Sequence, residues 1–384
     1  MNKLGYLGPP GTFSHTAALA YARGGGYEPL CCSGLESIFR RIENGGLEAG
    51  MVPAENSTCG TVGETLDLLS AVEGVYITGE LLLPVRQHLL ARPGVKPGEI
   101  KRVYSHPQAL AQCRHFLQEQ LPGVPVIETV STADAAMTVS GMVEPAAAVG
   151  SVSAADTYGL QVLWTGIQDG KDNVTRFLVL GRGKAVVNGR ARTSLAMAIQ
   201  DRPGALYHIL REFALRKINL TRIESRPAGS KLGDYIFFID FLGGEQEPPV
   251  QAAIAGIREF ALWVRLLGSY PVYREGGETG DPDLAQYCET VDLNGIREKI
   301  DLVDGEIMRL LTIRQHLADE VARCKAGKRR IVDRQREEEV IGRVRELAEV
   351  NALNPAIVEN IYRLIIRGSV LRQREVVADG DGRG

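Results

Sequence analysis

The first 183 residues alternate short apolar runs with stretches of helical period, and the last hundred are helical throughout. Lys3–Leu7 predicts a first strand and Thr16–Ala22 a helix after it. A second strand near 49–52 runs into the polar cluster Pro53–Thr58, and Val62–Leu69 again has a helical pattern. Val103–Tyr104, Val124–Val130 and Ala146–Val149 predict further strands, Thr132–Ala136 a helix start, and Phe177–Leu180 a buried strand. This alternation argues for a parallel or mixed sheet covered by helices. Residues 193–273 then read as strand, helix, strand, strand, helix, strand, a ferredoxin-like order. Its strands are expected near 194–199, 219–226, 235–242 and 264–273, the middle two paired as a hairpin around Gly229–Gly233. Lys184–Arg192 is short and basic, and Arg274–Asp283 is rich in Gly, Glu and Pro; both read as linkers.

Beyond the second linker, Ile296, Ile300, Val303, Ile307, Leu310, Leu317 and Val321 recur at intervals of three, four or seven. They mark one face of a helix from Asp292 to Lys325, about 50 Å long at ~1.5 Å per residue. Gly305 within it costs roughly 1 kcal/mol relative to Ala. Two shorter helices follow, one from Asp333 to about Val350 and one opened by Asn354-Pro355. The third is expected to turn Ile357, Ile361, Leu364 and Ile365 to the core. The long helix cannot bury its stripe against two short successors, so a second chain is expected to cover it.

Composition narrows the classes. The chain has 384 residues, 44% hydrophobic and 24% charged, with net charge −3. That length suits roughly two to four domains, and that charge gives no case for nucleic acid. The six cysteines (Cys31, Cys32, Cys59, Cys113, Cys288 and Cys324) form no C-x-x-C pair, so reduced thiols in a cytoplasmic protein are expected. The N-terminal MNKLGYLGPPG has no apolar h-region, so no signal peptide is expected. No stretch nears ~20 apolar residues, so no membrane span is expected.

Candidate chemistry clusters where polar residues meet strand ends. Asp172-Asn173-Val174-Thr175-Arg176-Phe177 places an amide, a hydroxyl and a guanidinium at the mouth of a buried strand, where α/β proteins hold ligands. Gly8-Pro9-Pro10-Gly11-Thr12-Phe13-Ser14 turns from strand into helix and leaves backbone N–H groups suited to an anion; Ser14 either caps that helix or lines a site. Glu55, Asn56, Ser57 and Thr58 follow the strand near 49–52. Together with Ser105-His106-Pro107-Gln108-Ala109-Leu110, these motifs resemble the prephenate dehydratases, in the family's order and over the whole segment 1–183.

The resemblance implies two α/β lobes around a cleft, similar to periplasmic binding proteins, one of roughly 1–76 with 160–183 and the other of 77–159. It implies loss of a ring hydroxyl and a ring carboxylate from prephenate, with aromatisation as the driving force and no metal or cofactor. Thr175 would be the central hydrogen-bond donor, with Glu55 or His106 as alternative stronger acids. Ser14, Asn56, Ser57, Thr58, Ser105, Asn173 and Phe177 would face substrate, and Arg176 would bind a carboxylate or brace the loop. Residues 193–273 resemble ACT domains of the phenylalanine-binding type through Gly204-Ala205-Leu206 and Glu224-Ser225-Arg226-Pro227, which implies feedback inhibition.

Residues 286–376 resemble the all-helical chorismate mutases. Arg314 and Lys325 are eleven residues apart and share a helix face, whereas Arg297 lies ~25 Å along the helix from Arg314. By position, Arg314 and the second chain's copy of Arg297 would bind two carboxylates. Lys325 and Gln373 would face the ether oxygen of chorismate, and Asp333, Arg336, Glu337 and Ser369 would complete the pocket. Such a rearrangement needs a held conformer and stabilised charge rather than a nucleophile. The mutase segment lies after the dehydratase, the reverse of the commoner family order. The whole reads as a multidomain, homodimeric or higher-oligomeric bifunctional enzyme. An arogenate dehydratase and a non-catalytic amino-acid sensor are the rivals.

Overall fold

The computed structural model describes residues 2–170, 173–185, 187, 190–228, 235–274, 293–325, 334–351 and 353–381. The chain divides into two compact units, Met1–Glu289 and Thr290–Gly384.

The first unit opens with β1 (Asn2–Leu7), β2 (Tyr27–Cys32), β3 (Ala49–Asn56), β4 (Gly60–Thr61) and β5 (Tyr76–Pro84), all in one sheet. Between them run α1 (Phe13–Gly25), α2 (Leu35–Glu43) and α3 (Gly63–Ala71). The chain then crosses to a second sheet of β6 (His88–Ala91), β7 (Val103–Ser105), β8 (Val126–Glu128), β9 (Ala147–Gly150) and β10 (Gln161–Trp164). Its helices are α4 (Pro107–Gln112), α5 (Arg114–Gln120), α6 (Thr132–Gly141) and α7 (Val152–Tyr158). Finally β11 (Val174–Gly181) returns to the first sheet, antiparallel between β3 and β5. The lobes therefore divide differently from the expectation. Tyr76–Pro84 lies in the first lobe, fixed by its ladder with β11, and Gln161–Trp164 lies in the second, paired with β6. The apolar run Leu81-Leu82-Leu83 suits a buried strand in either sheet, and only backbone pairing decides which.

β1 and β3 run parallel, and β11 runs against β3 and β5. The C-terminal ends of β1, β3 and β5 thus share one edge of the sheet with the start of β11. On one face, α1 covers Leu4, Tyr6, Met51, Leu83, Phe177 and Val179. On the other, Leu178 and Leu180 join a core with α2, α3 and residues from the next domain.

That domain comprises β12 (Arg192–Ile199), α8 (Ala205–Ala214), β13 (Leu220–Pro227), β14 (Tyr235–Leu242), α9 (Pro248–Phe260) and β15 (Ala261–Tyr270). The sheet order is β13-β14-β12-β15, with antiparallel neighbours throughout. This is the expected ferredoxin-like arrangement; the Gly229–Gly233 turn lies outside the described residues. Two boundaries differ. Arg192, expected in the linker, is a buried residue of β12, and Val272–Arg274 leaves this sheet as β16 to pair parallel with β5. Helices α8 and α9 cover one face of the four-stranded sheet. The other face sends Ala196, Phe238, Leu267 and Tyr270 into the core with Leu178 and Leu180. The approach is close at Gly268, where a Cβ would lie 2.1 Å from the backbone oxygen of Ile77.

The second unit holds α10 (Leu293–Lys325), α11 (Arg334–Val350) and α12 (Pro355–Asp381). Asn354 Oδ1 accepts from Ala356 N at 3.0 Å and caps α12. Ala318, Ala322, Ile341, Val344 and Ala348 are buried. The stripe of Ile300, Val303, Ile307, Leu310, Leu317 and Val321 is exposed, and so are Ile357, Ile361 and Leu364, which were expected in the core. The third helix is longer than expected, 27 residues against 33 for α10, and both keep apolar residues exposed.

Gly268→Ala is expected to destabilise the first unit by at least about 1–3 kcal/mol, the cost of overpacking, read as a lower denaturation midpoint. A wild-type midpoint would mean that the four-stranded sheet is not seated this closely on β5.

Candidate active sites

The period of two along β11 assigns its side chains to opposite faces. Thr175 and Phe177 point to the α1 side, Arg176 and Leu178 to the other. Phe177 is wholly buried in the core beneath α1, so it packs on the same face as Thr175 and does not reach the cleft. Arg176, expected to bind a carboxylate or brace the loop, is bonded on the opposite face. Its Nε donates to Glu80 Oε2 at 2.7 Å, its Nη1 to Asp240 Oδ2 at 2.6 Å and its Nη2 to Tyr270 Oη at 2.8 Å. Glu80 also pairs with Arg192, and Tyr270 Oη is bonded to Ser194 Oγ at 2.6 Å. Two guanidinium groups and two carboxylates thus neutralise one another under the site. Burial works against the Arg176 charge, but Asp240, Tyr270 and Glu80 hold its pKa well above the usual range. Burial likewise raises the Asp240 carboxyl, yet Arg176 and Ser194 outweigh it and hold the pKa low. The sequence signal for this network was an acid inside an apolar run, Glu80 before Leu81-Leu82-Leu83 and Asp240 between Ile239 and Phe241. Buried acids in strands require a partner.

On the α1 side, Asn56 organises the polar cluster. Its Nδ2 donates to Asn173 Oδ1 at 2.7 Å and to Thr175 Oγ at 2.9 Å, while its Oδ1 accepts from the backbone N–H groups of Thr58 and Cys59. Ser57 Oγ accepts from Val174 N at 3.0 Å, tying the turn to β11. Because Thr175 Oγ already accepts from Asn56, its own hydrogen is left to donate elsewhere. A cleft of about 330 Å³ opens beside the cluster, lined by Ser57, Thr58, Gln112, Gln168, Asp169 and Asn173. Gln112 comes from the second lobe. Its Oε1 accepts from Asn173 Nδ2 at 3.3 Å, and its buried Nε2 has no partner. Sequence reading missed Gln112, which lies two residues beyond the Ser105–Leu110 motif on the same helix.

Thr12, not Ser14, caps α1, through His15 N to Thr12 Oγ at 3.3 Å; Ser14 sits buried in the first turn. Ser105 is fully buried and donates to Val149 O at 2.7 Å, so its hydroxyl holds the second sheet together rather than facing a ligand. His106 is half-buried and caps α4 through Nδ1, which accepts from Gln108 N at 3.3 Å. Glu55 lies 3.4 Å from Arg222 on β13. Asp172 lies outside the described residues.

In the ferredoxin-like domain, Gly204 has φ 82°, a conformation that favours glycine, and opens α8. Ala205 is buried and Leu206 half-buried. On β13, Glu224 and Arg226 alternate with the exposed Ser225 and Pro227. Glu224 Oε2 accepts from Thr61 Oγ at 3.0 Å, and Arg226 grips both oxygens of Asp67 at 2.9 and 2.7 Å. Both side chains therefore hold this domain against the catalytic lobe. The two motifs lie at the same end of the sheet, with β14 between their strands.

In the helical unit, Arg314 Nη1 donates to Ser369 Oγ and to Ile365 O, while Gln373 Nε2 donates to Ala318 O at 3.3 Å. These bonds bring α10 and α12 together with Arg314, Ser369 and Gln373 near one another. Glu337 lines a cavity of about 240 Å³ with Arg363 and Arg367, two arginines that sequence reading passed over. Arg336 is exposed and pairs with Glu339 at 2.9 Å. Arg297 is exposed on α10. Asp333 and the Lys325 side chain lie outside the described residues.

Asp240→Asn is expected to cost about 3–5 kcal/mol near neutral pH, because it leaves Arg176 short of a buried counter-charge. The folded pKa of Asp240 lies below its unfolded value, so its contribution is present above pH ~4 and is lost as pH falls through the folded value. The gap between wild type and variant in urea melts should therefore narrow below pH ~4. A gap that is constant or widens there would contradict this assignment.

Three family models match the chain in succession: prephenate dehydratase over residues 4–185, ACT domain over 193–259 and chorismate mutase type II over 296–374. The bifunctional chorismate mutase/prephenate dehydratase of Aquifex aeolicus is 42% identical over 271 residues, which span 70% of this chain and 73% of that protein. Among solved structures, prephenate dehydratase from Arthrobacter aurescens in complex with L-Phe superposes with a TM-score of 0.66 at 33% identity, over 80% of this chain and 99% of that one. GqqA, described as a novel type of quorum quenching acylase, superposes with a TM-score of 0.65 at 31% identity, over 71% and 98%. The ACT match implies an amino-acid effector. No helix among the described residues is long and apolar enough to cross a membrane. The chain belongs to the prephenate dehydratase family, in the bifunctional form that carries an ACT domain and a chorismate mutase on one polypeptide.

Proposed function

We propose that the protein rearranges chorismate to prephenate in its helical unit and converts prephenate to phenylpyruvate in its two-lobed domain. The observation that carries the second activity is the Asn56–Thr175 hydrogen bond. It fixes Thr175 Oγ as an acceptor and leaves its hydrogen to bond the departing ring hydroxide. In the balanced reaction prephenate takes up one proton and yields phenylpyruvate, CO2 and water. The electrons of the ring–carboxylate bond become part of the aromatic ring as the C–O bond breaks, so no redox partner is required. Ser57, Thr58, Gln112 and Asn173 line the cleft as polar contacts to the substrate. Phe177 packs on the same face as Thr175, and Arg176 acts by charge from the opposite face.

For the mutase, the bonds that draw Arg314, Ser369 and Gln373 together support a shared anion site on α10 and α12. Lys325 and Gln373 are the groups proposed at the ether oxygen, Arg314 at a carboxylate, and Glu337 near the ring hydroxyl; Asp333 and Arg336 remain proposed pocket residues. The exposed apolar stripe of α10 and α12 supports a homodimer, in which the partner's α10 covers the stripe and brings its own arginine to the site. Phenylalanine is the proposed effector at the ACT domain, through Gly204–Leu206 and Glu224–Pro227. The proposed location is the cytoplasm. Supplying chorismate to the purified protein and following prephenate and phenylpyruvate tests both activities at once; no phenylpyruvate from supplied prephenate would refute the dehydratase.

Thr175→Ala is expected to lower dehydratase kcat by roughly 30- to 1,000-fold, the ~2–4 kcal/mol typical of one lost transition-state donor, with chorismate turnover intact. Wild-type prephenate turnover would remove Thr175 from the mechanism.

The shared mutase site has its own test. Arg297→Ala and Lys325→Ala chains are each expected to be inactive on chorismate. A two-fold mixed dimer would carry both lesions in one site and neither in the other, so mixing should restore up to about half the wild-type sites per heterodimer. Confirmed subunit exchange with no recovery would place Arg297 in its own chain's site or outside the chemistry.

A further inference from the structure

The β5–β6 crossover carries a cation that the mechanism above leaves unused. Arg86 is exposed and lines a cavity of about 330 Å³ with Phe13, Thr16, Leu83, His88 and Ser153. Among the described residues, no carboxylate forms an ion pair with it. His88 is buried, and its Nδ1 has no hydrogen-bond partner. Burial, and then the charge of Arg86, lower the His88 pKa, so the ring is neutral near pH 7.

The cavity lies on the working face of β11. Leu83 is the ladder partner of Thr175, and directly paired residues project to the same side of a sheet. Leu83 lines the cavity, so the Thr175 hydroxyl points to that side as well. The crossover is also tied to the start of β11, because Val85 N donates to Asn173 O at 2.8 Å.

We propose that Arg86 binds the side-chain (pyruvyl) carboxylate of prephenate. The inference rests on the dehydratase reading. Prephenate carries two carboxylates, and Arg176 is committed beneath the sheet. The ring carboxylate departs as neutral CO2. A cation fixed on it would stabilise the ground state more than the transition state and slow the reaction. The pyruvyl carboxylate keeps its charge from substrate to product, so a guanidinium there adds affinity without opposing the chemistry. The planar fork of arginine suits a carboxylate.

The test measures prephenate kinetics and inhibition by phenylpyruvate, the product that retains only this carboxylate, in wild type, Arg86→Gln and Arg86→Lys. Arg86→Gln should raise the KM for prephenate and the Ki for phenylpyruvate together, by roughly 10- to 100-fold, with kcat within a few-fold of wild type. Arg86→Lys should recover part of both. Chorismate turnover and the thermal midpoint report whether each variant is folded. Should Arg86→Gln fail to fold, the Arg86→Lys shifts decide. Unchanged KM and Ki in an active enzyme overturn the proposal. So does a raised KM with unchanged Ki, which would place Arg86 on the ring carboxylate, and so does a kcat collapse at constant KM. A wild-type protein inert toward prephenate would instead refute the dehydratase reading.

Discussion

The guanidinium of Arg176 is buried between carboxylates from two domains, and the first unit closes around that neutralisation. Taking each ion from water carries a penalty of several kcal/mol, offset only where opposite charges and further hydrogen bonds meet it. Here Glu80 comes from the catalytic sheet, whereas Asp240, Arg192 and Tyr270 come from the ACT sheet. Seating the ACT sheet on the catalytic lobe and satisfying the charge below Thr175 are therefore a single event. The backbone of β11 is held from below by ions and from above by the apolar packing of Phe177 and Val179.

In the proposed mechanism, that clamp would let a weak acid such as a threonine hydroxyl serve at the leaving group. Donors aimed in advance cost no reorganisation when charge develops. The hydrogen bonds of the Asn56 amide, donated by Nδ2 and accepted by Oδ1, leave it no alternative orientation, and it holds the threonine oxygen from one side only. The second lobe contributes through Gln112, so the cleft is complete only with both sheets in place. In the helical unit the corresponding rigidity comes from side chains that bridge α10 and α12.

Much of this was legible in the residues. The ferredoxin-like order follows from strand and helix periods, whereas the period of two in Thr175-Arg176-Phe177, which separates the hydroxyl from the guanidinium, was passed over in grouping all three at the site. The partners of Arg176 were not legible, because they lie 64 to 96 residues away and only the fold brings them close. The lobe of β5 was hidden for a related reason, since an apolar triplet does not reveal its neighbour. Ile357, Ile361 and Leu364 show the converse: helical period marks a face to be covered without saying which chain covers it. Ser105 looked like a ligand contact because a motif records that a hydroxyl is present, not whether Val149 O has already taken it.

Glu224 and Arg226 carry a thermodynamic consequence. Both side chains are engaged by Thr61 and Asp67, and their neighbour Arg222 reaches Glu55 and Thr61. A ligand that recruits either one must first release it, so its apparent affinity falls short of its intrinsic affinity by the strength of the contact it displaces. Linkage is reciprocal: whatever factor such a ligand imposes on substrate affinity, bound substrate imposes on the ligand. A filled cleft would then resist its own inhibitor, and the concentration of inhibitor needed to act would rise with the supply of substrate.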